Sequence, residues 1–210
     1  MISDFSKTSD FARSLFKIKD ERISEIKKYG EEKNIPIITE EVLNFMIFQA
    51  DYAKAKNILE IGTAIGYSGI FLAEISGKNM GEFYTIEIDE ERYNIAKENF
   101  NKLGLSNVNL ILGDALEKIN GIDKTFDFIF IDASKGQYKK FFDLSYPKLS
   151  ENGIIFIDNI LFRGLAIEEE VPKRYRTIAK KLNEFIDYLS ENHDFVLLPF
   201  GDGIGLVKKK

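Results

Sequence analysis

Residues 59–69 read LEIGTAIGYSG, and this stretch decides the fold. It opens as an apolar run of strand length that ends beside an acid, Glu60, and it closes from Tyr67 onward as the start of a helix-compatible segment. Between the two, Gly62 and Gly66 let the backbone approach a ligand closely, and the helix N-terminus near Ser68 offers free N–H groups. The spacing is G-x-x-x-G rather than the G-x-G-x-x-G of dinucleotide binding, so a nicotinamide cofactor is not the natural first choice. Taken alone the signal is weak, because many strand–helix turns carry glycine.

The same alternation continues outward from this stretch. Apolar runs NILEI, FYTIEI, VNLIL, FDFIFI and GIIFI are separated by longer segments at 68–76, 90–103, 114–120 and 137–149. Such alternation implies a parallel sheet with helices on both faces. After a helix over about 173–191, FVLLPF and GIGLVKK are joined by Gly201-Asp202-Gly203, which reads as a hairpin, so the sheet ends in an antiparallel pair. Upstream, Phe11, Leu15, Ile18, Ile23 and Ile26 recur at near-helical spacing until Asn34-Ile35-Pro36 breaks the run. A further helix runs from Thr39, as N-cap, to about Lys54. The expectation is one α/β domain over 1–210, with a helical segment 1–56 ahead of a core 57–210.

Composition narrows the class. Hydrophobic residues make up 44% and charged residues 30%, the balance of a soluble globular protein. Without cysteine, disulfides and thiolate metal sites are excluded, and a reducing compartment fits. The start, MISDFSKTSD, lacks the basic region and apolar stretch of a secretory signal, and no apolar run approaches a membrane span. A cytoplasmic protein with no membrane partner is expected. The net charge of −5 argues against a wholly basic nucleic-acid binder but leaves room for a local patch. Two basic clusters exist, Lys173-Arg174-Tyr175-Arg176 with Lys180-Lys181, and Lys208-Lys209-Lys210. Their ordinary reading is a solvated face and a solubilising tail.

Acids at the strand ends carry the chemistry. Glu60 could hold the ammonium of an amino-acid moiety, and Glu87 in YTIEID could accept both hydroxyls of an adenosine ribose. Asp114 and Ala115 in LGDAL would then flank the adenine. One such acid is an ordinary strand-end carboxylate facing water; three on consecutive strands are better explained by a ligand at that edge. FDFIFIDASK (126–135) and FIDNILFRG (156–164) likewise end apolar runs on Asp132 and on Asp158-Asn159. If those strands are neighbours, two carboxylates and an amide oxygen converge into a hard oxygen site. Mg²⁺ suits it best, Mn²⁺ and Ca²⁺ are alternatives, and Zn²⁺ is disfavoured. A substrate with two adjacent oxygens would chelate the cation, Lys135 would take its proton, and the oxyanion would attack a methyl group on a sulfonium. The bland reading of Lys135 is a solvated loop lysine.

With LEIGTAIGYS, YTIEID, GDAL, FIDASK and FIDNILFRG in place, the sequence resembles the cation-dependent class I O-methyltransferases that use S-adenosylmethionine, over about residues 36–207. The resemblance implies the Rossmann-like methyltransferase fold, with a seven-stranded sheet whose last pair is a hairpin, and a homodimer. It implies cofactor contacts at Ile38, Glu60, Gly62, Ser68, Glu87, Asp114, Ala115 and Asp132. It also implies metal ligands at Asp132, Asp158 and Asn159, with Lys135 as base and Asp132 counted with it as catalytic.

Within that family, DNILFRG, KRYRT (173–177) and LPFGDG (198–203) look most like the bacterial tRNA 5-hydroxyuridine methyltransferases. That likeness implies conversion of 5-hydroxyuridine to 5-methoxyuridine in tRNA, with Arg163, Lys173, Arg174 and Arg176 on RNA phosphates. The alternative is a small-molecule enzyme acting on catechols or hydroxycinnamoyl-CoA. A non-catalytic RNA- or nucleotide-binding module is the remote third.

Overall fold

The apolar runs resolve into seven strands: β1 (Ile58–Ile61), β2 (Phe83–Glu87), β3 (Val108–Leu112), β4 (Phe126–Ile131), β5 (Leu149–Ile157), β6 (Asp194–Leu198) and β7 (Ile204–Lys208). The structure is a computed structural model describing residues 5–209; residues 1–4 of the stretch weighed as a leader, and Lys210 of the lysine tail, lie outside it. The strands form one sheet in the order β3-β2-β1-β4-β5-β7-β6. The first five run parallel, and β7 is antiparallel to both β5 and β6. Strand order reverses between β1 and β4, and ligands of open α/β sheets sit outside the carboxyl ends at such a point.

Both faces of the sheet are covered, as the continuous apolar runs require. Ile58, Phe83, Phe128, Phe130 and Phe156 pack against α3 (Glu40–Tyr52), α4 (Tyr67–Lys78) and α5 (Glu90–Lys102) through Leu43, Met46, Ile70 and Phe100. Leu59, Ile61, Ile129, Ile131 and Ile155 face the other way, onto α6 (Ala115–Lys118), α7 (Tyr138–Ser145) and α8 (Arg176–Asn192) through Ala115, Phe142, Phe185 and Leu189. Phe156 is fully buried and meets the rings of Phe45, Phe128 and Phe130 at 6.0, 6.1 and 5.7 Å. Burying one such ring is worth about 1.5–3 kcal/mol.

The helices depart from the sequence expectation where local chemistry intervenes. The run from Phe11 to Ile26 is two helices, α1 (Phe5–Leu15) and α2 (Glu21–Glu32), because Asp20 caps the second by accepting from the Arg22 N–H at 2.9 Å. Ile18 falls in the link and still packs on the core. Thr39 stands at the N-cap of α3 but its hydroxyl makes no cap bond. Segment 137–149 yields only α7 with 3-10 turns on either side, the second of them, Tyr146–Lys148, containing Pro147, and β5 begins at Leu149. Arg13 ties α1 to α3 through a bidentate bond to the buried Glu41, at 2.6 and 2.8 Å. No helix among the described residues is long and apolar enough to cross a membrane.

Candidate active site

Register brings the strand ends together. Ile61 pairs with Ile86 on one side and Ile131 on the other, and Ile131 pairs with Ile157, so Gly62, Asp132 and Asp158 leave the sheet at one level. Above them lies a cavity of about 360 Å³. Its walls include Ile38, Gly62, Ser68, Glu87, Asp114 and Ala115, together with Asp132, Lys135, Asp158 and Asn159. Glu60, Arg163, Lys173, Arg174 and Arg176 are not part of that wall.

The β1–α4 loop shapes the first part of the cavity. Gly62 has φ 101°, and a Cβ there would stand 2.0 Å from the Asp132 carbonyl oxygen, so only glycine fits between the two strand ends. Gly66, at φ 82°, starts α4 with no capping side chain, leaving the first N–H groups of the helix at the cavity. Tyr67 also lines the cavity, and its buried hydroxyl has no hydrogen-bond partner among the described residues. Across from it, the Glu87 carboxylate accepts from the Ala64 N–H at 2.7 Å and the Asp89 N–H at 2.9 Å. Asp114 both lines the cavity and caps α6, accepting from the Leu116 N–H at 2.9 Å. An uncapped helix start, an unpartnered hydroxyl and an acid at the end of β2 suit a ligand carrying a carboxylate and a ribose.

Glu60 lies behind the cavity wall. It is fully buried on the α4 side of the sheet, where Ser68 Oγ donates to one oxygen at 2.5 Å and Thr85 Oγ1 to the other at 2.6 Å. Thr85 in turn shares a 2.6 Å bond with Thr63 Oγ1. The four groups form a chain whose ends, Ser68 and Thr63, both line the cavity. Burial pushes the Glu60 carboxyl up to about 8 against the pull of the two hydroxyls, and the negative charges of Asp132 and Glu87 add to the rise. Thr63 and Thr85 carried no signal in the sequence, because their part depends on the pairing of Glu60 with Thr85 across β1 and β2.

The second part of the cavity is acidic. Asp158 is 2% exposed, its N–H donates to the Ile131 carbonyl at 3.0 Å, and its Oδ1 accepts from the Asn159 N–H at 2.7 Å. The Tyr138 hydroxyl donates to the Asp158 carbonyl at 3.0 Å, which locks this strand end. Lys135 Nζ donates to Asn159 Oδ1 at 2.9 Å. Burial, and then the charge of Asp132, push the Asp158 carboxyl up to about 8; burial likewise raises Asp132, with Lys135 opposing. Two desolvated carboxyls beside one amide oxygen suit a hard dication, which would favour the ionised form of both. No group of three or more acidic, histidine or cysteine side chains gathers among the described residues, so a cation would rest on this mixed set and on oxygens of its own ligands. Past Asn159 the chain turns left-handed: φ is 53° there, 50° at Phe162, 57° at Arg163 and 77° at Gly164. Each non-glycine in that conformation costs roughly 1–2 kcal/mol, so something outside the segment must hold it.

The basic residues stand apart. Arg163, Lys173, Arg174 and Arg176 are exposed. Arg176 Nε donates to the Val171 carbonyl at 2.9 Å, and the Arg174 guanidinium lies 4.5 Å from the ring centre of Tyr175. Tyr175 meets Phe162 edge-on at 5.5 Å. Two of the four cations are thus engaged locally.

The sequence profile of a family described as O-methyltransferase matches residues 9–210. A caffeoyl-CoA O-methyltransferase of Stellaria longipes is 28% identical over 93% of this chain and 86% of its own length. A catechol O-methyltransferase of Niastella koreensis is 31% identical over 68% of this chain and 66% of its own length. Among solved structures, a Podospora anserina methyltransferase with S-adenosylhomocysteine bound is similar at TM-score 0.87 and 27% identity, covering 100% of this chain and 98% of that one.

Proposed function

This chain belongs to the O-methyltransferase family and is S-adenosylmethionine-dependent, and from that premise we propose that its acceptor is a small molecule with two adjacent oxygens, of the catechol or hydroxycinnamoyl-CoA kind. The observation that carries this reading is the juxtaposition, in one cavity, of the donor-side loop with Asp132, Asp158, Asn159 and Lys135. Relatives named for small phenols support it. The tRNA expectation rested on likeness in DNILFRG, KRYRT and LPFGDG, and the RNA contacts it implied, Arg163, Lys173, Arg174 and Arg176, lie off the cavity wall. The small-molecule alternative is therefore the better supported of the two.

S-adenosylmethionine would supply an electrophilic methyl group, and Asp132, Asp158 and Asn159 would hold a divalent cation that could lower the pKa of an acceptor hydroxyl. Glu87 accepts the ribose hydroxyls, and the open start of α4 with Ser68 and the Tyr67 hydroxyl takes polar groups of the amino-acid end. Lys135 Nζ, already at the Asn159 amide, removes the acceptor hydroxyl proton. The remaining acceleration comes from position: the shared level of the β1, β4 and β5 ends holds donor and acceptor in register. We extend the proposal to a homodimer, supported by the exposed Phe11, Leu15, Phe48 and Tyr52 on α1 and α3, and to a reducing compartment such as the cytoplasm, supported by the cysteine-free sequence. A light-scattering mass near 24.1 kDa would refute the dimer.

The test is mass spectrometry of parallel reactions with S-adenosylmethionine and Mg²⁺, one on a catechol or caffeoyl thioester and one on tRNA containing 5-hydroxyuridine. Methylation of the phenol that a chelator abolishes is the expected result. Formation of 5-methoxyuridine with untouched phenol would return the acceptor to tRNA. Transfer indifferent to chelator would remove the cation.

A further inference from the structure

The turn after Asn159, with Phe162 and Arg163 at positive φ, is held from the turn between β6 and β7. The Ile160 N–H donates to the Gly203 carbonyl at 3.0 Å, the Leu161 N–H to the Asp202 carbonyl at 3.0 Å, and the Arg163 N–H to the Asp202 carboxylate. Three N–H groups of residues 160–163 thus end on two residues of a hairpin about 40 positions later in the chain. That hairpin tip is itself fixed. Phe200 meets Phe45 of α3 edge-on at 5.4 Å. A Cβ on Gly201 would stand 2.6 Å from Val42 Cγ2, and one on Gly203 would stand 2.3 Å from Leu161 Cγ. The tip is wedged between α3 and the segment that follows Asn159, with no slack on either side. The Asp202 side chain is half-buried, and its charge bears on Lys135 and Asp158 as well as on Arg163.

We propose that Asp202 is a positioning residue for the cation and acceptor side of the site: from the β6–β7 turn it holds the turn over residues 160–163, with Phe162 and Arg163 at positive φ, and so fixes Asn159 against Asp158 and Lys135. The inference rests on the cation reading given above, and it assigns Asp202 no contact with the reacting atoms. The physical argument is one of alternatives. Phe162 and Arg163 have Cβ atoms and would leave positive φ unless the right-handed alternative were worse. Asp202 opposes that change, because in the left-handed course the Arg163 N–H ends on its carboxylate. Once that bond is lost, the two carbonyl contacts at Ile160 and Leu161 are the remaining restraints from the turn, and the Asn159 amide lies at the free end of the loosened segment.

The test compares Asp202→Ala and Asp202→Asn with the wild type, using the whole chain without acceptor. Amide hydrogen exchange over residues 158–166 reads the segment, and electron paramagnetic resonance titration with Mn²⁺ reads the cation. Asp202→Ala is expected to speed exchange at Ile160, Leu161 and Arg163 by about tenfold. It should weaken Mn²⁺ binding by about tenfold, the usual effect of losing a group that orients a metal ligand. Affinity for S-adenosylhomocysteine should stay within about twofold, since residues 199–203 of the turn do not line the cavity. Asp202→Asn keeps an acceptor oxygen in place and should restore both exchange protection and Mn²⁺ affinity; it also carries the test if the alanine variant does not fold. Unchanged exchange in Asp202→Ala overturns the proposal, as does an asparagine variant that behaves like alanine, which would assign the effect to charge. A wild type that binds no Mn²⁺ refutes the cation reading instead, while the exchange result still decides the role of Asp202.

Discussion

Replacing Glu60 by glutamine isolates a buried titration outside the candidate cation site. The glutamine has the shape of the protonated acid and cannot lose a proton. In the native chain the carboxyl titrates near 8 instead of its ordinary 4.5, because burial disfavours its charge. A carboxyl raised in this way holds its proton folded and releases it unfolded. Its stabilising effect is complete below about pH 4.5 and is lost as pH climbs through about 8. At about 1.4 kcal/mol per pH unit, the gap between 4.5 and about 8 amounts to a ceiling of about 5 kcal/mol. Between about pH 5.5 and 7.5 the native protein should lose about 2.5 kcal/mol that Glu60→Gln keeps. The amide also replaces one acceptor with a donor, which Thr85 can meet by turning its hydroxyl, since either atom of its bond to Thr63 can donate. That exchange gives an offset independent of pH, so the slope is the readout. Urea unfolding across the pH range, with the m-value constant between variants, measures it. If the two stability curves run parallel from acid to pH 8, the buried carboxyl is not neutral at pH 7 and the reasoning fails.

Other substitutions address the remaining parts of the site. Asp158→Ala should lower methyl transfer by about 100-fold or more with an unchanged far-UV spectrum; retained activity with full cation dependence would remove Asp158 from the cation site. Gly62→Ala places a Cβ 2.0 Å from the Asp132 carbonyl at a φ of 101°, and should cost at least about 2 kcal/mol of stability and weaken S-adenosylhomocysteine binding, both read in one melting series with and without that ligand. Phe156→Ala removes the ring shared by Phe45, Phe128 and Phe130 and should cost about 3–5 kcal/mol in the denaturation midpoint. Arg174→Ala with Arg176→Ala should leave kcat/KM for a catechol within about threefold, because neither side chain reaches the cavity wall. A large loss there would mean that the two arginines act on the small-molecule reaction despite lying off the cavity wall.

The acids at the strand ends were legible because an apolar run cannot end inside a core on Asp132 or Asp158 without a reason, and the strand–helix alternation already put those ends at one edge. Glu60 shows where that logic stops. Side chains alternate along a strand, so Leu59 and Ile61 face one layer while Ile58 and Glu60 face the other, under α4. Nearness to the loop in sequence suggested contact with a ligand; the alternation sends the carboxyl to Ser68 and Thr85. The run at Phe162 and Arg163 was illegible for a different reason. Neither residue prefers positive φ, and the restraint comes from Asp202 across the fold, a residue that read only as part of a turn. The basic stretch at 173–176 was visible, but its direction depends on local bonds such as that from Arg176 to Val171, which composition does not encode.

The place of β7 in the sheet has a consequence for synthesis. The latest strand in chain order lies inside, between β5 and β6, and not at the rim. While the ribosome is still making residues 194–208, the parallel part of the sheet can form, but β5 presents a bare edge of N–H and C=O groups. That edge carries Ile155, Phe156 and Ile157, a sequence prone to pairing with other strands. The hairpin that closes it also delivers Asp202 to the segment after Asn159. A nascent chain stalled before residue 204 would therefore hold its donor pocket, lack an ordered acceptor side, and be the species most in need of a chaperone.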